Sequence, residues 1–285
     1  MRQGEPSYTA MAAASARAAH TSLYGDVRIF VDDLAARLIG FPDRDALRAV
    51  YERVQLPTSP ARIAAFFALR HRWAEDRLAL AVERGVRQLV LLGAGLDTLA
   101  LRRPDLTERI RVFEVDHPDT QRWKRARLEE LGLAAPHVTY VPVDFEREQL
   151  ADRLAESGVR LDEPLFVTWL GVVHYLARPA IDAVFRLVLA RPPGSEVVFD
   201  FIVRHDLVAD DEERALSEQV EANSAARGEP WLTFVDPETL PQELHAMGFT
   251  TVERLTPELA ASRYYGGQPD RVTPLTAWQA IAASR

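Results

Sequence analysis

Apolar positions in the first 85 residues recur at helical spacing. In "DVRIFVDDLAARLIG", Val27, Phe30, Val31, Leu34 and Leu38 share one face; Asp26 stands where an N-cap belongs, and Gly40 where the chain leaves the helix. A longer helix is predicted from Ser59-Pro60, a cap followed by proline at the first helical position, through "ARIAAFFALRHRWAEDRLALAVER" to Gly85. From Gln88 the period changes. The β-rich runs "QLVLLG", "IRVFEVD", "VTYVPVD", "LFVTWLG" and "SEVVFDFIV" alternate with amphipathic segments such as "HPDTQRWKRARLEELG" and "RPAIDAVFRLVLARPPG". Apolar strands joined by such helices form βαβ units, and right-handed crossovers make them a doubly wound α/β sheet.

After Ile202 a polar stretch, "RHDLVADDEERALSEQVEANSAARGEP", interrupts the strands and reads as a helical lid insertion. Order returns with a helix from Asp236-Pro237 to Gly248, then "TTVERL" and "VTPLTAWQAIA" as strands. The expected division is an N-terminal helical cap over 1–85, a cofactor-binding core over 86–203, a lid over 204–235 and a completion of the core over 236–285.

Composition narrows the chemistry. A chain of 285 residues, 47% of them hydrophobic, can bury a large core. The absence of cysteine excludes disulfides and thiolate catalysis, and none of the seven histidines is paired at metal-ligand spacing, so no metal is expected. A net charge of -8 argues against nucleic acid as a partner. Nothing approaches a run of about eighteen apolar residues, and "MAAASARAAH" has Arg17 where a signal peptide would be aliphatic, so a cytoplasmic protein off the membrane is expected. Lys124, the only lysine, sits in "RWKRAR", which reads as a solvated helix face.

In "QLVLLGAGLDT" the first strand runs into Gly93 and Gly95, whose missing side chains let backbone pass close to a ligand beyond the carboxyl end of the sheet. Asp97 and Thr98 open the next segment. Thr98 occupies the third glycine position of the dinucleotide fingerprint, which disfavours a pyrophosphate and a nicotinamide-dependent oxidoreductase. Asp116 closes the second strand 23 positions after Gly93, where an acid accepts hydrogen bonds from ribose hydroxyls. Asp144 closes the third strand. Three carboxylates at one rim suit a cationic nucleoside such as S-adenosylmethionine.

"LVLLGAGLDTLALR", "VFEVDHPDTQRWKRARL", "VPVDFE" and "WLGVVHYL" together resemble the leucine carboxyl methyltransferase-like family of S-adenosylmethionine-dependent methyltransferases, particularly its bacterial branch. The resemblance spans about Ala12 to Arg204. It implies a Rossmann-like class I methyltransferase sheet with S-adenosyl-L-methionine as cofactor. It places Gly93, Gly95 and Asp97 at the turn, Asp116 with His117 at the ribose, and Asp144 with Phe145 at the adenine. Arg70 matches the arginine that pairs with the methionine carboxylate, with Arg72 as a near neighbour, and Arg17 a basic residue of the segment folding over the cofactor. Leu170 stands where eukaryotic members carry an acid, so the pocket wall is more apolar and an uncharged, ring-containing acceptor is favoured. Trp169, His174 and Tyr175 are then the groups nearest that wall, Trp169 toward the cofactor and the other two as catalytic candidates.

The activity expected is O-methylation of a small-molecule acceptor, a carboxyl or hydroxyl compound of secondary metabolism. A carboxylate needs no base, whereas a hydroxyl does, and imidazole chemistry makes His174 the candidate. Trp231 and the tyrosines of "SRYYGG" are further aromatic groups able to close over a substrate or to pack in the core. A fold-related protein that binds the cofactor without methylating is the alternative.

Overall fold

The computed structural model describes residues 7–24, 29–53, 56–144, 148–266 and 274–285. Its centre is a seven-stranded sheet ordered β3-β2-β1-β4-β5-β7-β6. β1 (Gln88–Leu92), β2 (Arg111–Asp116), β3 (Val138–Pro142), β4 (Phe166–Trp169) and β5 (Glu196–Ile202) run parallel. β6 (Thr251–Leu255) and β7 (Trp278–Ser284) complete it, with β7 antiparallel to both β5 and β6. Every residue of β1 and β5 is buried, and both read as mostly apolar runs, with Asp200 the one acid inside the apolar stretch of β5. Strand order reverses between β1 and β4, and a doubly wound sheet takes its ligand beyond the carboxyl ends there.

The helices of the described residues are α1 (Tyr8–Ser22), α2 (Asp33–Leu38), α3 (Arg44–Arg53), α4 (Pro60–Glu83), α5 (Leu99–Arg102), α6 (Pro104–Thr107), α7 (Pro118–Glu130), α8 (Leu150–Glu156), α9 (Arg178–Leu189), α10 (Asp211–Ala225), α11 (Leu240–Met247) and α12 (Pro257–Tyr264). Among the described residues no helix is long and apolar enough to cross a membrane. α4 runs as its cap, proline and terminal glycine predict, and buries Phe66, Leu69, Trp73 and Leu78 against the sheet.

Three expectations need correction. The helix read from Asp26 begins only at Asp33, because Asp32 is held as its cap: its carboxylate accepts from Ala35 N at 3.0 Å and from Arg17 Nε at 2.8 Å. Asp26 and Val27 lie outside the described residues. Lys124 is not solvated but 2% exposed, its ammonium 2.7 Å from buried Glu114 of β2. The helix expected from Asp236 starts at Leu240, after a turn in which Asp236 accepts from Glu238 N at 2.9 Å.

The polar insertion leaves and rejoins the sheet at one place, where Val203 and Val235 form a parallel bridge. Its helix α10 is anchored. Glu213, 1% exposed, pairs with Arg62 of α4 and accepts from Thr276 N at 2.7 Å and Ala277 N at 3.0 Å. The segment 226–233 that follows bonds to the turn after β4, Leu232 N and Thr233 N donating to His174 O at 2.6 and 3.2 Å.

Candidate cofactor and acceptor site

β1 ends in Gly93-Ala94-Gly95, with φ of 65° at Gly93 and 48° at Gly95. Gly95 N donates to Asp116 Oδ2, and His117 N to Oδ1 at 2.6 Å, so this carboxylate joins the first two strand ends. Each oxygen keeps a lone pair for a further donor. Burial pushes the Asp116 carboxyl above its ordinary value, against the pull of those two N–H groups. His117 caps α7, its Nδ1 accepting from Asp119 N at 3.2 Å. Asp144 follows β3, its N–H bonded to Glu148 at 2.8 Å, while Phe145 lies outside the described residues.

The glycines make room first for the chain itself. A Cβ at Gly93 would collide with Val172 Cγ2 of the segment after β4, and one at Gly95 would lie 3.2 Å from Ala10 Cβ of α1. Gly93→Ala is therefore expected to destabilise by about 1–2 kcal/mol through its left-handed backbone alone, and by more through the collision. Adding Val172→Ala should recover the second part and not the first. Urea unfolding measures both, and a Gly93→Ala protein as stable as wild type would contradict this reading.

Arg17 and Arg70 are both buried, at 3% and 4% exposure, rather than solvated as most arginines are. Arg17 pairs with Asp32 and donates through Nη2 to Leu96 O at 2.6 Å, supporting the glycine turn from below. Arg70 Nη1 lies 2.5 Å from Asp200 Oδ2, its guanidinium stacks over Phe67 at 4.3 Å, and its Nε is buried without a partner. Asp200 also accepts from Gly171 N at 2.5 Å, so one acid of β5 ties Arg70 to the turn after β4. Arg72 turns outward to Asp76 and to Ile29 O. Asp97 caps Leu99 N at 2.6 Å, and its second oxygen lies 3.6 Å from His71 Nε2. Neither His71 nor Asp200 was singled out in the sequence, although an acid inside the apolar run "VVFDFIV" signals a buried cation nearby.

Trp169 is a correction. It is 1% exposed and packs at 5.9 Å from Phe185 and 6.1 Å from Phe199, in the core and not at a pocket wall. Leu170 packs, half-buried, with the cluster of Trp73, Leu99 and Phe166. His174 and Tyr175 lie in a 3-10 turn past Val172. His174 is 6% exposed, its ring 5.0 Å from Trp231, and its carbonyl accepts from Leu232 N at 2.6 Å. The Tyr175 hydroxyl faces Ser224, Trp231 and Thr9. Glu229 accepts from Thr9 at 2.8 Å and from Ser7 at 3.3 Å, so segment 226–233 meets the start of α1 over Tyr175. The "SRYY" tyrosines are structural: Tyr264 bonds Asp76 at 3.0 Å and Tyr265 is buried with Phe30 and Leu69, while Gly267 lies outside the described residues. A cavity of about 320 Å³ beside Val173, lined by Ile181, Phe185, Phe199 and Leu240, contains none of the glycine-turn residues.

Burial holds the His174 imidazole down to about 4, and does the same to His20 of α1, whose two ring nitrogens are buried without partners. In the unfolded chain both take a proton near 6.5. Their contribution is thus complete above pH 6.5 and is lost as pH falls from there through 4, at roughly 3 kcal/mol each. Urea unfolding at pH 7 and pH 4.5 is expected to show this loss, reduced in His174→Gln; a pH-independent midpoint would contradict it.

Residues 10–189 match the family described as leucine carboxyl methyltransferase. A Bacillus subtilis (strain 168) protein, provisionally named S-adenosyl-L-methionine-dependent methyltransferase YktD, is 29% identical over 294 residues, covering 96% of each chain. A Mycobacterium avium protein with the same provisional function in its name is 34% identical over 73% of this chain and 72% of its own. A solved structure, a provisional methyltransferase of Thermobifida fusca, superposes with a TM-score of 0.58 over 99% of this chain and 96% of that one at 17% identity, a likeness of fold. With the sheet order, the glycine turn and Asp116 in place, the chain belongs to the leucine carboxyl methyltransferase family of S-adenosylmethionine-dependent methyltransferases.

Proposed function

We propose that this chain transfers a methyl group from S-adenosylmethionine to an oxygen of a small-molecule acceptor, and that the oxygen belongs to a carboxylate. The donor supplies an electrophilic methyl on a sulfonium, open to in-line displacement. This chain's residues fit that donor. Asp116 keeps lone pairs for the ribose hydroxyls, Asp144 offers a carboxylate beyond β3, and the buried, unpartnered Arg70 Nε is a donor for the methionine carboxylate.

The observation that carries the acceptor reading is the burial of His174, 6% exposed with its Nδ1 unpartnered. An imidazole held at about 4 is a poor base for a phenol that ionises near 10. A carboxylate arrives ionised and needs only orientation. The Tyr175 hydroxyl, faced by Ser224, Trp231 and Thr9, is suited to orient it beneath segment 226–233. A hydroxyl acceptor is the second reading, favoured by the Glu229 carboxylate among the hydroxyls of Ser7 and Thr9, where a proton could be taken.

The test uses methyl-labelled S-adenosylmethionine with a panel of carboxylic acids and phenols, followed by mild base. Methyl esters release labelled methanol and methyl ethers do not. Base-labile product is expected, and base-stable product would sink the carboxylate reading. His174→Asn should change the rate by less than about threefold, whereas a catalytic base typically contributes a hundredfold or more.

A further inference from the structure

Three acids beneath the glycine turn are paired with guanidinium groups. Asp32 has Arg17 at 2.8 Å and Arg102 at 3.6 Å, Glu75 has Arg102 at 2.5 Å, and Asp200 has Arg70 at 2.5 Å. Asp97 has no guanidinium partner among the described residues. It faces His71, whose Nε2 is 3.6 Å from Asp97 Oδ2.

The protons of His71 decide what that contact is. Nδ1 lies 2.7 Å from the carbonyl of Phe67, which can only accept, so Nδ1 carries the hydrogen. Burial, with Arg17 and Arg70 nearby, holds the ring well below the usual histidine range, so it is neutral and Nε2 is a bare lone pair. Two acceptors thus face each other across 3.6 Å, His71 with its side chain 6% exposed and Asp97 with 14%. Two acceptors turned toward each other are unfavourable unless a donor bonds both. A single donor to one side of the pair can bond both, and the carboxylate favours a cation.

We propose that His71 Nε2 and Asp97 Oδ2 form the seat for the α-ammonium group of the cofactor's amino-acid end. The proposal rests on the S-adenosylmethionine reading and adds His71 to the site. Arg70, the preceding residue of α4, brings its unpartnered Nε to the same region for the α-carboxylate, so neighbouring helical residues serve the two ends of one zwitterion. Adenosine and 5'-methylthioadenosine lack both ends, so this pair would separate the cofactor from its own breakdown products.

The test compares S-adenosylhomocysteine with its desamino analogue, the adenosyl thioether of 4-mercaptobutanoate, by titration calorimetry. Wild type should prefer S-adenosylhomocysteine by about a hundredfold, the scale of two hydrogen bonds to a charged group. Asp97→Asn keeps an oxygen for Leu99 N and removes the charge. His71→Asn keeps a donor for Phe67 O and removes Nε2. In each variant the preference should fall to about tenfold or less, while affinity for the desamino analogue stays within about threefold of wild type. Equal weakening of both ligands would make the pair structural and overturn the proposal, as would an unchanged preference. A wild type that binds neither ligand would overturn the cofactor reading, and this proposal with it.

Discussion

Asp116→Ala is expected to weaken S-adenosylhomocysteine binding by at least about a hundredfold. The carboxylate has two tasks in the structure. It fixes the glycine turn through Gly95 N, and it presents its remaining lone pairs at the carboxyl end of β2. Hydrogen bonds to a charged group are worth about 1.5–3 kcal/mol, and the account gives this one two ribose hydroxyls, so alanine removes roughly 3 kcal/mol or more. Asp116→Asn should fall between, because its amide oxygen still accepts from Gly95 N. Calorimetry on folded variants measures this. Wild-type affinity in Asp116→Ala would reduce the residue to a brace for the turn.

Arg70→Met is expected to lower stability by about 3–5 kcal/mol and to abolish cofactor binding. Asp200 is 1% exposed, and removing the guanidinium leaves a buried carboxylate without its counter-charge. Arg70→Lys should do part of this damage, since an ammonium cannot reach Asp200 and also fill the place of Nε. The double variant Arg70→Met/Asp200→Asn separates the two roles. Asparagine keeps an oxygen for Gly171 N and carries no charge, so most of the stability should return while S-adenosylhomocysteine remains unbound. Recovery of both would show that Arg70 serves Asp200 alone, and full stability of Arg70→Met would contradict the buried pair.

Much of this architecture was legible in the chain because its parallel strands are covered on both faces. "QLVLL" and "VVFDFI" read as strands wherever they pack, and Ser59-Pro60 with Gly85 bound α4 by local chemistry. Tertiary partners decided what periodicity could not. Asp32 displaced Asp26 as a cap because Arg17 and Thr21 hold it, with Thr21 Oγ1 accepting from Asp32 N at 2.9 Å. Lys124 left the solvent because Glu114 is buried opposite it. The placing of β7 between β5 and β6 has no local signal.

The site was legible to a similar depth. Gly93, Gly95, Asp97 and Asp144 follow strand ends at the carboxyl side and Asp116 closes β2, as their spacing implied. Trp169 packs in the core because β4 is buried along its whole length, so apolar composition alone does not say which of its side chains meets a pocket. His71 was invisible, since its part depends on a carbonyl one helical turn away and on an acid across the fold. His174 lies against Tyr175 and Trp231, and its burial turns an apparent base into a neutral ring of weak proton affinity.

The central claim is that the carboxyl ends of β1, β2 and β3, with the glycine turn and Asp116, are built for an adenosyl amino acid and not for a dinucleotide. Parallel calorimetric titration of the wild-type protein with S-adenosylhomocysteine and with NADH tests it most directly. The account predicts saturable binding of one S-adenosylhomocysteine per chain and no heat from NADH; saturable NADH binding with none for S-adenosylhomocysteine would contradict it.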